Sequence, residues 1–321
     1  MIKYKEEVFI MANEVLFLTG ILKERIWGSN YFKDTLQVTD LDNRFGEYWS
    51  LSAHPEGESI ITSGHFKGWK LSEVYLKHPE LFGKHVEEFP ILIKIIATSD
   101  KLSVQVHPND EYARVNENQK GKTEGWLILE AGESSQIVLG HSAKDKDELI
   151  KLINNKEFDK LLKYKKAKKG MFIPVTSGVI HAIGKDIVLL EVQQSSDVTY
   201  RLYDYDRLDF NGKPRDLHIQ KAIDVITYEN QLISNHNYFD DFKKVNLLWE
   251  NNYFSVYLYQ INQEYKFIPN NNQYYLGTVI EGSILVNNHL VKMGDSFIIT
   301  TQASLVSFKG MGKITITSVN H

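Results

Sequence analysis

The run Leu102-Ser103-Val104-Gln105-Val106-His107 alternates polar and apolar residues. In a strand, residues two apart point to the same face. Ser103, Gln105 and His107 therefore project together, while Val104 and Val106 turn to the opposite face. Lys122 and Glu124 share a face in Lys122-Thr123-Glu124-Gly125-Trp126, which leads into another strand. In Gly170-Met171-Phe172-Ile173-Pro174-Val175-Thr176-Ser177-Gly178-Val179-Ile180-His181, a strand and a Pro/Gly turn present a histidine. Gln105, His107, Glu124 and His181 offer an amide oxygen, a carboxylate and a pair of imidazoles. Such a set suits a zinc-like divalent cation and leaves room for water or substrate. The competing reading makes Gln105 and His107 satisfied polar residues of a barrel. That reading is weakened because all four potential ligands fall on the strands of one module.

A second constellation lies in Leu190-Glu191-Val192-Gln193-Gln194-Ser195-Ser196-Asp197-Val198-Thr199-Tyr200-Arg201. Glu191 and Gln193 share a strand face, Ser195-Ser196-Asp197 reads as a turn, and Arg201 falls on the next strand. Arginine offers a planar donor fork and a permanent charge, suited to phosphate or a developing enediolate. Glu191 and Asp197 can act as bases where their surroundings raise the pKa. A structural Arg–carboxylate pair is the alternative. The chain has no P-loop, GxGxxG, GxSxG or HExxH, so nucleotide cofactors and triad hydrolysis have no support. His54 and His65 are weaker site candidates near strand ends. His78, His85, His141, His218 and His236 read as surface residues. His289 reads as a solvated turn residue, and with His321 it makes no metal set.

Short β-branched or aromatic runs between Gly, Asn, Asp and Pro breakers must position these groups. Strands are expected over 15–21, 47–51, 91–97, 102–106, 126–130, 136–139, 171–175, 188–192 and 199–202. Helices are expected over 72–78, 144–154, 158–164 and 217–227. The polar stretch 231–241 reads as a link. Beyond it, strands are expected over 254–261, 275–280, 283–286, 296–300, 305–308 and 314–318, with turns at Glu281-Gly282, Asn287-Asn288, Met293-Gly294-Asp295 and Met311-Gly312. This spacing suggests sandwiches or jelly rolls. The fold class is mainly β, with a larger module over 1–235 that carries helical insertions and a smaller one over 236–321. The smaller module is expected to pack against or frame the larger.

Composition narrows the function classes. The length of 321 residues suits about two domains. With 42% hydrophobic and 12% aromatic residues, the chain is not a mainly disordered one. Its 37 Lys and Arg against 41 Asp and Glu leave a net charge of −4, which gives no footprint for nucleic acid. Lys163, Lys165, Lys166, Lys168 and Lys169 read as a solvated helix end. The absence of cysteine excludes disulfide scaffolds, Cys-ligated zinc and thiol catalysis, and fits a reducing cytoplasm. No apolar stretch approaches the roughly 18 residues of a membrane span. MIKYKEEVFI has acidic residues and no apolar core, so it is no secretory signal. Met11 is expected to be the native start and residues 1–10 translated leader, because Lys5-Glu6-Glu7-Val8 can be encoded by a sequence containing GGAGGT.

These motifs resemble the type I mannose-6-phosphate isomerase family, particularly its short bacterial form. The resemblance runs from Val15 onward through Glu24-Arg25-Ile26-Trp27-Gly28, Gly46-Glu47-Tyr48-Trp49-Ser50-Leu51-Ser52-Ala53-His54-Pro55 and Phe89-Pro90-Ile91-Leu92-Ile93-Lys94, then through 103–110, 121–126, 178–184 and 190–203. It implies a cupin, with a catalytic jelly roll carrying helical insertions and then a small second jelly roll. It implies one Zn²⁺ per chain held by Gln105, His107, Glu124 and His181. It also implies site roles for Arg201 and Asp197, and substrate binding or proton transfer by Lys94 and Lys122. Ser103 is expected to touch substrate with Lys122 and Arg201. The base stays open among Glu191, Asp197, Lys94 and Lys122, with a lean toward a lysine whose pKa is lowered by burial and the metal. Gly125 departs from the family, where Cys or Met is expected. Gln105 replaces the first His of the general cupin HxH signature, a change the family shares.

The implied reaction interconverts mannose 6-phosphate and fructose 6-phosphate by moving a proton between C2 and C1 through a cis-enediol. The implied partner is a small sugar phosphate, met by a monomer or weak homo-oligomer in the cytoplasm, with no nucleic acid or membrane. The rivals are an isomerase acting on glucose 6-phosphate, a non-catalytic metal cupin that senses a sugar, and an interaction protein whose second module binds a partner.

Overall fold

A computed structural model of the chain describes residues 14–36, 44–83, 87–228, 235–241 and 243–320. The expected leader and start at Met11, part of the 231–241 link, His85 and His321 lie outside these residues.

Ile91–Ala97 reads ILIKIIA and Ile187–Gln194 reads IVLLEVQQ, and every residue of both strands is buried. Short runs this apolar form strands covered on both faces. They lie side by side in a six-stranded antiparallel sheet, ordered Phe172–Val175, Glu124–Ala131, Ile187–Gln194, Ile91–Ala97, Phe45–Leu51 and Ile21–Ser29. One face of this sheet packs Ile91, Ile93, Ile95, Leu190 and Val192 into a core shared with Phe254, Val256 and Leu276. The other face packs Ile96, Trp126, Ile128 and Leu189 into a core shared with Ile137, Leu139 and Ile183 of a second sheet.

The second sheet is ordered Leu162–Lys166, Gln136–His141, His181–Ile183, Val104–Val106 and Tyr200–Tyr203. Another core joins its Val104, Val106 and Ala182 to the helices Lys146–Asn154, Phe158–Leu161 and Ile219–Val225. The third sheet is ordered Val245–Glu250, Phe254–Phe267, Val306–Val319, Tyr275–Val286, Ser296–Ile299, Val15–Thr19 and Ile60–Ile61, with His289–Lys292 beside Tyr275–Val286. It encloses its own core of Phe17, Tyr259, Phe297 and Phe308. The mainly β architecture expected from the sequence is thus present. Hydrogen bonding crosses the boundary between 1–235 and 236–321, because Val15–Thr19 pairs with Ser296–Ile299. No helix among the described residues is long and apolar enough to cross a membrane.

Local expectations differ from the structure where distant pairing decides. The helix expected over 158–164 stops at Leu161, and Leu162–Lys166 instead pairs with Gln136–His141. Lys163, Lys165 and Lys166 therefore lie on a sheet edge, where lysines discourage further pairing. Glu281-Gly282 and Met311-Gly312 do not end strands. Gly282 (φ +75°) and Gly310 (φ +125°) bend Tyr275–Val286 and Val306–Val319, which run on past them. The helix Asp110–Glu117 was not expected. Asn109 caps it by accepting from the Tyr112 N–H, and Asp110 and Glu111 favour its first turn.

Candidate metal centre and active-site cleft

Strand register sets the chemical groups in two rows. In the second sheet, Gln105 lies opposite His181 on one side and Arg201 on the other. In the first sheet, Glu191 lies opposite Lys94 and Trp126, and Lys94 lies opposite Trp49. Alternation turns the first row toward the core between the sheets. Lys94 follows the parity of Ile96, Glu191 that of Leu189, and Glu124 that of Trp126 and Ile128. That core is therefore polar at one end and apolar elsewhere.

His107, Glu124 and His181 are each 1% exposed, and one donor atom from each lies within 4.8 Å of the others. Glu124 Oε2 is 3.5 Å from His107 Nε2, and Glu124 Oε1 is 3.4 Å from His181 Nε2. His107 Nδ1 donates to the Val198 carbonyl at 2.8 Å, and His181 Nδ1 donates to the Val179 carbonyl at 2.9 Å. A carbonyl only accepts, so both protons sit on Nδ1 and both Nε2 lone pairs face Glu124. Burial, with Lys122 and His181 nearby, holds the His107 imidazole well below its ordinary pKa. Burial likewise lowers His181 to about 4. Both rings are neutral at pH 7, the form that binds metal.

His107 Nε2 and both Glu124 oxygens are buried without a hydrogen bond. Each such atom costs on the order of 1–3 kcal/mol when left unsatisfied. A cation placed among them answers all three, so the donor set fits a divalent metal. Gln105 stands beside it. Its Nε2 is 3.3 Å from His181 Nε2, and its Oε1 accepts from the Ser103 hydroxyl at 3.3 Å.

A cleft of about 390 Å³ opens here, lined by Ser103, Gln105, Lys94, Lys122, Glu191, Asp197 and Arg201. Charges alternate along its first-sheet wall. Arg25 donates to Glu47 through Nε (2.9 Å) and Nη2 (3.1 Å), and Trp49 Nε1 donates to Glu47 at 2.6 Å. Lys94 Nζ lies 4.0 Å from Glu47 and 3.4 Å from Glu191. Trp126 Nε1 donates to Glu191 at 3.0 Å, and Lys122 Nζ lies 3.3 Å from Glu124. Burial alone would raise the Glu47 carboxyl, but Lys94 and Arg25 hold it down at about 2. Burial and the neighbouring Glu124 raise Glu191. Burial would lower Lys122, yet Glu124, Glu191, Asp197 and Glu47 together raise it. The lowering expected of a lysine base rests on burial and the metal; burial acts in that direction at Lys122, and the four carboxylates act against it.

Across the cleft, Arg201 Nε donates to Ser103 Oγ at 3.3 Å and Nη1 donates to the Asp216 carbonyl at 2.8 Å. Among the described residues, no carboxylate lies within salt-bridge distance of it. The neighbouring Arg207 and Arg215 both pair with Asp204, at 2.7 and 2.6 Å. Asp197 is exposed at the cleft.

Arg25, Glu47, Trp49 and Trp126 join the site without having been singled out. The available signals were their place in the motifs that carry the family resemblance and the two-residue spacing of Glu47 and Trp49 on a strand. His54 is half-buried, edge-on to Trp49 at 5.8 Å, and borders an adjoining hollow that also touches Asp197. His65 is exposed beside Phe66. His141 is not a surface residue. It is buried with Nε2 3.0 Å from the Thr227 carbonyl, because its strand lies inside the second sheet. His218 is half-buried and its Nδ1 accepts from the Arg201 N–H at 3.2 Å. His289 is exposed and stacks on Phe17 at 3.9 Å.

Comparison with known proteins agrees with this architecture. Residues 15–134 match the family model of the phosphomannose isomerase type I catalytic domain, and residues 244–319 match that of the mannose-6-phosphate isomerase cupin domain. The mannose-6-phosphate isomerase of Streptococcus mutans is 38% identical over 92% of this chain and 96% of its own. The mannose-6-phosphate isomerase ManA of Bacillus subtilis is 48% identical over 67% of this chain and 69% of its own. The crystal structure of the mannose 6-phosphate isomerase from Bacillus subtilis superposes with a TM-score of 0.88 at 37% identity, covering 95% of this chain and 99% of that one. With the Streptococcus mutans relative and the Bacillus subtilis crystal structure each matched over more than nine-tenths of both chains, the chain belongs to the type I mannose-6-phosphate isomerase family.

Proposed function

We propose that this chain interconverts D-mannose 6-phosphate and D-fructose 6-phosphate through a cis-enediol, with one zinc ion held by Gln105, His107, Glu124 and His181. The observation that carries the reading is the buried set of unsatisfied Nε2 and carboxylate atoms, set beside Gln105 and Lys122, which line the same cleft as Arg201, an arginine with no carboxylate partner among the described residues. Family membership supports the substrate class. A half-turn of the Gln105 amide presents Oε1 to the ligand side and leaves Nε2 to donate to Ser103.

Zinc held by these four residues would supply Lewis-acid stabilisation of negative charge on the sugar oxygens. The remaining work falls to the protein's own groups. Removing a proton from carbon beside a carbonyl builds negative charge on oxygen. The Arg201 guanidinium, steadied by Ser103 and the Asp216 carbonyl, is placed to meet that charge. Lys122 stays charged and donates toward a sugar oxygen during ring opening. Glu191, its pKa raised by burial, is the better placed proton carrier, and Lys94 orients it across the strand pair. Asp197 holds substrate hydroxyls at the rim. All these groups come from one chain, which suits a monomer or weak homo-oligomer. A cytoplasmic setting fits this metabolic reading, and the division into 1–235 and 236–321 sets the catalytic module apart from the smaller one, whose sheet also takes in Val15–Thr19.

The test is a coupled assay of mannose 6-phosphate conversion before and after chelation, with zinc restored. Activity lost and regained supports the reaction and the metal together. Activity that survives thorough chelation overturns the role of zinc. Sugar phosphate binding without turnover in the zinc-loaded protein points instead to a sensor, or to an enzyme of the other C2 epimer.

A further inference from the structure

The turn joining Val245–Glu250 to Phe254–Phe267 reaches from the C-terminal sheet to the segment that carries Lys122 and Glu124. Tyr253 donates its hydroxyl to Asp110 Oδ2 at 2.8 Å. The other oxygen of Asp110 accepts from the Gly121 N–H at 2.8 Å and from Gln194 Nε2 at 3.0 Å. Gln194 Oε1 accepts from the Thr123 N–H at 2.9 Å. One hydroxyl of the smaller module thus anchors the carboxylate that fixes the backbone on either side of Lys122.

The other end of the segment meets the same part of the chain. A Cβ added at Gly125 would lie 2.6 Å from the Phe172 ring and 3.2 Å from the Trp249 ring. A glycine beside Glu124 therefore leaves the space that Phe172 and Trp249 fill. The turn between Trp249 and Tyr253 is itself held firmly. Asn251 Oδ1 accepts from the Tyr253 N–H at 2.8 Å and the Phe254 N–H at 3.2 Å. Asn320 Nδ2 donates to the Asn251 carbonyl at 2.6 Å, and its backbone N–H donates to the Tyr253 carbonyl at 2.9 Å.

We propose that Tyr253 and Trp249 are positioning residues, which bracket residues 121–125 and so keep Lys122 Nζ and the Glu124 carboxylate in register with the histidine pair. The bracket gives the smaller module a defined task beyond packing. The chemical use of Lys122 and Glu124 rests on the function proposed above, whereas the bracket itself does not.

Tyr253→Phe keeps the ring and deletes only the hydroxyl. Hydrogen exchange at the Gly121 and Thr123 amides of the full chain, with and without zinc, is expected to quicken roughly tenfold. Exchange in Gln136–His141 is expected to stay put. Zinc release is expected to speed several-fold, with kcat falling and KM nearly constant. Tyr275→Phe removes a hydroxyl that bonds Gln273 within the same module, and should move none of these. Unchanged exchange at 121–125 overturns the proposal. So does an equal rise at amides throughout the protein, because that marks general destabilisation. Local quickening in a protein that lacks isomerase activity upholds the bracket and overturns the proposed reaction alone.

Discussion

Lys94 and Glu191 are direct partners on neighbouring strands, and their charged ends meet 3.4 Å apart with each side chain 4% exposed. Burying two charges is costly, and the cost is offset only when further bonds satisfy them. Trp126 supplies one to Glu191, while Glu47 and the Trp49 face attend Lys94. Removing one member of such a pair typically costs ~3–5 kcal/mol. Glu191→Gln leaves Lys94 with Glu47, so its expected loss in urea unfolding is smaller, about 2 kcal/mol. Lys94→Met strands Glu191 and takes a cation from Glu47, so it should lose more. Equal losses would show that Glu47 does not share the lysine.

The metal centre predicts a stability signature independent of turnover. Zinc at about 100 times its Kd should add about 2.7 kcal/mol to the unfolding free energy. Glu124→Gln removes the carboxylate that both imidazoles face, and should weaken zinc binding at least tenfold. Thermal melts with and without zinc check this. A full zinc-induced shift in Glu124→Gln would remove Glu124 from the ligand set.

The parts legible in the sequence are those that local periodicity controls. Two-residue spacing correctly put Ser103, Gln105 and His107 together, and the apolar run 91–97 was a strand to the residue. Register is another matter. Nothing near Gln105 announces that His181 and Arg201 lie on either side of it, since both neighbouring strands come from far along the chain. The run 158–164 reads as a helix until its edge partner, Gln136–His141, is known. Gly282 and Gly312 read as turns because a glycine permits both a turn and a bend within a continuing strand. The rise in the Lys122 pKa depends on four carboxylates from different strands or loops, so no window of sequence displays it.

Arg201 should separate chemistry from metal binding. Its guanidinium has no carboxylate partner among the described residues, and deleting a donor to a developing oxyanion commonly costs about 10²–10³ in kcat. Arg201→Met is expected to fall in that range, with zinc affinity unchanged. Arg201→Lys should recover little, because the bonds to Ser103 and the Asp216 carbonyl use the fork. Steady-state kinetics beside a zinc titration would decide it, and a loss confined to KM would reassign Arg201 to ground-state binding.

Glu47 ties the cleft wall to acid stability. Its carboxyl is buried, and Lys94 and Arg25 lower it from an ordinary 4.5 to about 2. A carboxyl depressed in the folded state binds fewer protons there than in the unfolded chain. Its stabilisation is therefore complete above about 4.5 and drains away as pH falls toward about 2. Glu47→Gln cannot titrate, so the parent should exceed it in urea midpoint most at pH 6, with the gap narrowing at pH 3. Metal-free protein should be used for both, so that protonation of the zinc ligands does not intrude. A gap of the same size at both pH values would mean that Glu47 acts by shape and hydrogen bonding, and that its charge is not what holds Arg25 and Lys94 to the wall.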